Sequence, residues 1–213
     1  MKKLISFIFI LYLLIFPFSI IKTIEQPSPE VIAKIKTVIP QTINYSVSLL
    51  SNDGLCSGVI IKNTPKESIV LTAKHCVHDL EGFYVNGIPV NDYGVSKNDD
   101  LAWLKINQEI PDKTYAPISL IKPKNDDIII MTSYPSLVLD IQVGIIAYST
   151  PDWTFAVLDI VHGCSGSGIF NTDGELIGVV WGGLAKKDQE PMPIAIFERW
   201  EDIVKFIKDN NLL

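Results

Sequence analysis

The sequence predicts an all-β body, a sandwich or barrel of about a dozen short strands closed by one C-terminal helix. Three observations carry that expectation. Short β-branched and aromatic runs recur along the chain with turn residues between them. Asn86-Gly87 sits between two such runs and marks a tight hairpin. Only Phe197 to Lys208 has a convincing helical period, with Trp200, Val204 and Ile207 on one face. A chain of 213 residues, 47% of them hydrophobic, is long enough for two six-stranded lobes. They are placed at about 43–115 and 116–196, with the proline-bearing stretch Pro111–Lys124 between them, and the helix at about 197–208.

In chain order, Pro29 is placed to open a short helix from Glu30 to about Val38, stopped by Pro40, so residues 23–42 read as a linker and that helix. Tyr45, Val47 and Leu49 then alternate with Ser46 and Ser48, the pattern of a half-buried strand. Val59–Ile61 and Ser68–Ala73 are β-branched runs separated by the turn Lys62-Asn63-Thr64-Pro65. Phe83–Val85 and Ile88–Val90 flank the hairpin, and Leu101–Ile106 follows. Ile128–Thr132, Val138–Tyr148, Trp153–Ile160 and Leu176–Trp181 continue the series, with a tight turn at Asn171–Gly174.

At the N-terminus, Met1-Lys2-Lys3 precedes the apolar run Leu4–Ile21, closed by Lys22. A basic start and an unbroken apolar stretch predict an N-terminal hydrophobic helix over 1–22, a signal peptide or a membrane anchor, with the remainder exported. As a helix the run spans roughly 27 Å. The cleavage candidates near Ser19 and Thr23 carry Pro17 or Ile21 two residues upstream, which favours an uncleaved anchor facing outside the cytoplasm over a secreted product.

Charge removes several classes. The net charge is −6, and without residues 1–22 it is −9, from 15 basic and 24 acidic side chains. With a single arginine, Arg199, no nucleic-acid partner is expected, and nothing in the body attracts anionic lipid. Three cysteines, Cys56, Cys76 and Cys164, allow one pair and a remainder in an exported chain. Neither they nor the three histidines show paired metal-ligand spacing, so no metal is expected.

Three segments carry the residue types of nucleophilic acyl transfer. Leu71-Thr72-Ala73-Lys74-His75-Cys76 ends a β run in an imidazole. Asp99-Asp100-Leu101-Ala102-Trp103-Leu104 opens a β run with carboxylates. Gly163-Cys164-Ser165-Gly166-Ser167-Gly168 is a glycine-spaced serine loop. The glycines permit a tight turn that exposes the Ser165 hydroxyl and turns the N–H groups of Gly163 and Ser165 inward, where an oxyanion develops. No lysine follows the loop as in a phosphate cradle. The β-type residues Ile169 and Phe170 follow it, rather than the helix an esterase elbow needs.

Thr72-Ala73-Lys74-His75-Cys76, Asp100-Leu101-Ala102 and Gly163-Cys164-Ser165-Gly166-Ser167-Gly168, in that order, resemble the trypsin/chymotrypsin-like serine endopeptidases. Separations of 25 and 65 residues suit a compact bacterial or viral member. Cys56-Ser57-Gly58-Val59-Ile60 and Val180-Trp181-Gly182 resemble two further strands of that family, the second being the one that pairs with substrate backbone. The likeness covers about residues 40–200. It implies a fold of two six-stranded antiparallel β-barrels with the site between them, over residues 43–213.

The resemblance implies His75 as general base, with His78 and His162 as competitors and His162 placed to line the cleft. It implies Asp100, rather than the adjacent Asp99, as the acid that orients His75. Ser165, rather than Ser167, is the implied nucleophile. It pairs Cys56 with Cys76 and puts Asp159 at the base of the pocket for the substrate side chain, where an acid favours Lys or Arg. Gly182 and Gly183 leave the mouth of that pocket open. Two departures stand out. Cys164 replaces an acid that a new N-terminus neutralises in many animal members, which argues against that mode of activation here. Val180 replaces a serine that supports the orienting acid. The function implied is an exported serine endopeptidase acting through an acyl-enzyme, without cofactor, on a polypeptide substrate, as a monomer. The rival is a catalytically silent binding module on the same fold.

Overall fold

The computed structural model describes residues 27–77, 82–184 and 193–213. Helix α1 runs from Pro29 to Tyr45, with Ser28 Oγ accepting the Val31 N–H at 3.3 Å as an N-terminal cap. It passes through Pro40 instead of stopping there. Proline removes the helix bond to the Lys36 carbonyl, but both residues are exposed, so the break falls on the solvent side of the helix. Burial of Ile35, Val38 and Thr42 along the other side holds the helix together.

Seven strands form the first sheet: β1 Ser46–Ser51, β2 Gly54–Asn63, β3 Ser68–Ala73, β4 Tyr84–Val85, β5 Ile88–Pro89, β6 Asp92–Val95 and β7 Leu101–Ile106. Their order is β5-β4-β1-β2-β3-β7-β6, and every pairing is antiparallel. Asn86 (φ 48°) and Gly87 (φ 79°) make the β4–β5 turn, the left-handed pair that a two-residue hairpin demands. The expectation of two closed six-stranded barrels is corrected here, because this sheet is open. Its two edge strands are consecutive in the chain, joined through Val90–Asn91, so the rim meets covalently and not through a hydrogen-bonded ladder. β5 is two residues long and ends in Pro89, which has no N–H to offer a neighbour. The sheet's apolar side still encloses a core of Val47, Leu49, Ile60, Val70, Leu104 and Ile106.

Six strands form the second sheet: β8 Ile128–Ser133, β9 Asp140–Ser149, β10 Thr154–Val157, β11 Gly168–Phe170, β12 Leu176–Gly183 and β13 Ile194–Glu198. They close into a barrel in the order β10-β13-β12-β11-β8-β9. Ile129, Met131, Ile146, Ile169, Val180 and Phe197 fill it. Gly178 has no Cβ because the Phe197 ring occupies that space.

Helix α2 is Trp200–Asp209, not 197–208. Phe197 and Glu198 belong to β13, where Phe197 pairs with Thr154 and Val180. The helix begins after Arg199, whose guanidinium grips the Asp202 carboxylate with two bonds of 2.6 and 2.8 Å. The hydrophobic helix expected over 1–22 lies outside the described residues. Among those described, no helix is long and apolar enough to cross a membrane.

Candidate active site

The register of β3 against β7, with Ala73 opposite Leu101, makes the residues just after β3 neighbours of those just before β7. His75 and Asp100, 25 residues apart, therefore meet at the rim of the open sheet. His75 lies in a 3-10 turn, Lys74–Cys76. Lys74 N–H donates to the Asp100 carbonyl at 3.0 Å. His75 N–H donates to Asp100 Oδ1 at 2.9 Å, and His75 Nδ1 lies 2.6 Å from Asp100 Oδ2. A carboxylate only accepts, so Nδ1 carries the proton of the neutral ring and Nε2 keeps its lone pair. The disulfide Cys56–Cys76 ties this turn to β2.

Ser165 comes from the loop between β10 and β11. A turn from Val161 to Cys164, closed by Cys164 N–H to the Val161 carbonyl at 3.1 Å, has Gly163 at its third position with φ 98°. That φ is open to glycine, and a Cβ there comes within 2.9 Å of Pro135 Cα. Gly166 follows at φ 82°, where a Cβ runs into Thr72 Oγ1 and the Ser57 carbonyl. The loop is bound to both sheets. Ser57 N–H donates to the Ser165 carbonyl, and Gly166 N–H to the Val180 carbonyl, each at 2.8 Å.

His75, Ser165, Gly163, His162 and the disulfide line one cleft of about 180 Å³. The Ser165 hydroxyl donates to the Trp181 carbonyl at 3.5 Å. Among the described residues no acceptor takes the N–H of Gly163 or of Ser165. Trp181 is the extra residue of a bulge, since the β12–β13 register shifts between Val180 and Gly182. Its ring lies against Trp153 at 5.1 Å. A Cβ on Gly182 meets open space, whereas one on Gly183 meets Ile160.

Other expected residues fall elsewhere. Asp159 is exposed and is not among the residues lining the cleft. Its backbone exchanges two bonds with the Gln142 amide, at 2.8 and 2.9 Å. Asp99 accepts from Ser96 Oγ at 2.8 Å. Cys164 is buried and free, its Sγ 3.7 Å from Ser133 Oγ. Ser167 is buried, with its hydroxyl unpartnered. His78 lies outside the described residues.

Two residues escaped the sequence reading. Glu198, 2% exposed, accepts the Asp100 N–H on Oε1 at 2.9 Å. Burial pushes its carboxyl up to about 7, and the neighbouring charges of Asp99, Asp100 and Asp202 push the same way against the bond from Asp100. Asp99, Glu198 and Asp202 bring carboxylate oxygens within 4.8 Å of one another. All three have partners, Asp99 in Ser96, Glu198 in Asp100 and Asp202 in Arg199. The other residue is Ser57, fully buried in β2. Its only signal was its place in Cys56-Ser57-Gly58, which does not reveal what its hydroxyl touches.

The trypsin-like peptidase domain family matches residues 56–179, more than half of the chain, and the chain belongs to that family. No curated protein matches it in sequence. Among solved structures it is similar to the serine endoprotease from Yersinia pestis, with a TM-score of 0.65 and 22% identity over 87% of this chain and 67% of that one. A Glu endopeptidase in complex with MPD gives 0.64 and 16%, over 80% and 91% of the two chains. An inactive serine-to-alanine form of a Mycobacterium tuberculosis H37Rv protein gives 0.64 and 18%, over 86% and 94%. The chain is thus a peptidase-family hydrolase by class, and a polypeptide is its substrate class.

Proposed function

We propose that this chain is an exported serine endopeptidase in which His75, Asp100 and Ser165 act as one unit. The observation that carries the reading is the shared cleft. One imidazole is held through Nδ1 by Asp100 at 2.6 Å and lines the same space as the Ser165 hydroxyl. Rotation about the Ser165 Cα–Cβ bond moves its hydroxyl from the Trp181 carbonyl toward Nε2. Such bonds tighten when substrate arrives. His75 then takes the proton as Ser165 Oγ attacks the peptide carbonyl, and Asp100 holds the ring and offsets the charge it acquires. The uncommitted N–H groups of Gly163 and Ser165 receive the oxyanion, each such donor being worth roughly 3 kcal/mol. His75 returns its proton to the leaving amine. It next activates the water that releases the acyl group from Ser165. Among the described residues, β12 past Val180 pairs with β13 and not with β11, and that open side around Trp181 and Gly182 supports an extended substrate backbone beside the site.

Export is supported by the basic and apolar start of the sequence. It is also supported by the Cys56–Cys76 bond, which persists in an oxidising compartment. The reading is tested with a fluorophosphonate probe and a peptide substrate. Wild type is labelled and cleaves. Ser165→Ala does neither, with its melting temperature unchanged. Cleavage retained in Ser165→Ala refutes the assignment, and an unlabelled, inactive wild type supports a silent binding module instead.

A further inference from the structure

We propose that Ser57 is a positioning residue that templates the two oxyanion donors, with its hydroxyl holding the Gly163–Cys164 peptide that lies between them. The inference rests on the serine-peptidase reading above and extends it to a residue outside the acid, base and nucleophile.

Ser57 makes four bonds to three segments. Its Oγ donates to the Gly163 carbonyl at 2.8 Å and accepts the Tyr134 N–H at 2.8 Å. Its backbone N–H donates to the Ser165 carbonyl at 2.8 Å. Its carbonyl accepts from Thr72 Oγ1 at 2.8 Å. The two residues proposed to donate to the oxyanion, Gly163 and Ser165, therefore each have their own carbonyl held by the same residue. The Gly163 carbonyl belongs to the peptide it shares with Cys164, and the Ser165 carbonyl to the one it shares with Gly166, so the peptide carrying the Ser165 N–H lies between two that Ser57 holds and the Gly163 N–H adjoins the first of them.

The rest of the contact set serves the same end. Tyr134 immediately precedes Pro135, the residue a Cβ at Gly163 comes up against, so the same hydroxyl fixes the wall behind the loop. Gly163 needs such a hold. A glycine at φ 98° reverts to other conformers at little cost. Ser57 is fully buried, so no water replaces the bond when the hydroxyl is removed, and the Gly163 carbonyl and Tyr134 N–H both lose their partner.

Oxyanion donors matter more to the tetrahedral state than to bound substrate, so a misaimed loop lowers kcat and leaves KM nearly unchanged. Ser57→Ala is compared with wild type per active site, counted by the endpoint of fluorophosphonate labelling. The measurements are kcat and KM on a peptide, the affinity of a peptide aldehyde that forms an oxyanion on Ser165, and the affinity of the cleaved peptide product. The expected result is a fall of about 10- to 100-fold in kcat and a similar fall in aldehyde affinity, with KM and product affinity within about twofold. Unchanged kcat and aldehyde affinity in an active-site-titrated variant overturn the proposal and leave the peptidase reading intact. An equal fall in product affinity, or a variant that does not fold, also overturns it, because the hydroxyl then serves general structure. A wild type that neither labels nor cleaves refutes the peptidase reading itself.

Discussion

In the open sheet, the acid is held at each of its polar groups and the base through one ring nitrogen. Asp100 engages its backbone N–H, its carbonyl and both carboxylate oxygens, at 2.9, 3.0, 2.9 and 2.6 Å, and a disulfide anchors the next turn. In the closed barrel, the Ser165 backbone is tied to both sheets, but its hydroxyl has only a 3.5 Å contact with Trp181. The difference follows from what each group does in the proposed reaction. An orienting acid works by staying still, so every rotamer it loses before substrate binds is a cost already met. A nucleophile has to swing between a resting partner, the base and an acyl carbon, so a tight resting bond would oppose it. Rigidity is correspondingly placed in the backbone of the serine loop and in the side chains of the acid and base.

The strongest way to break this comparison is to unlock the acid. Asp100→Asn is expected to lower kcat about 10⁴-fold, because an amide beside Nδ1 favours the wrong tautomer of His75. Asp99→Asn, whose carboxylate receives the Ser96 hydroxyl, is expected to stay within about twofold of wild type. Equal losses in steady-state kinetics would remove the distinction between the two acids. Next comes the covalent brace. The double variant Cys56→Ser with Cys76→Ser opens a loop of 20 residues' separation and is expected to lose about 3 kcal/mol in denaturant unfolding. A stability within about 0.5 kcal/mol of wild type would mean that the sheet needs no staple.

The smallest effect concerns Glu198 behind Asp100. Its folded-state value of about 7 lies above the ordinary 4.5, so the folded chain keeps a proton that the unfolded chain has released. The stability this group contributes is complete below pH 4.5 and is lost as pH rises through about 7. Glu198→Gln can still accept the Asp100 N–H but cannot ionise. Its stability relative to wild type is expected to rise between about pH 5 and 8, by at most roughly 3 kcal/mol. Parallel melting curves across that range would show that the carboxyl is not held neutral.

Much of this was legible in the chain because the signals are local. The Asn86-Gly87 hairpin demands two left-handed residues, and the run Leu101–Ile106 is strand by residue type. The turns at Gly163 and Gly166 likewise rest on a residue without a Cβ. Other features were not legible because packing overrode local preference. Pro40 is a helix breaker in isolation, yet α1 runs through it because its opposite side is buried. Phe197 fits a helical period as well as a strand, and the pairing partners Thr154 and Val180 decided for strand. β6, β11 and β13 lack a run long enough to show alternation. The open rim of the first sheet had no signature at all, since closure depends on whether two short edges reach each other.

The order and types of His75, Asp100 and Ser165, the glycines that make the serine loop possible, and the hydrophobic content for two cores are properties of the polymer itself. They express residue chemistry and short-range stereochemistry, which act whatever lies far away along the chain. Which carbonyls Ser57 holds, why Glu198 is driven toward its neutral form, and where Asp159 points were decided only by the folded arrangement. Those depend on what burial excludes and on groups brought together from distant segments, and no stretch of sequence contains that information.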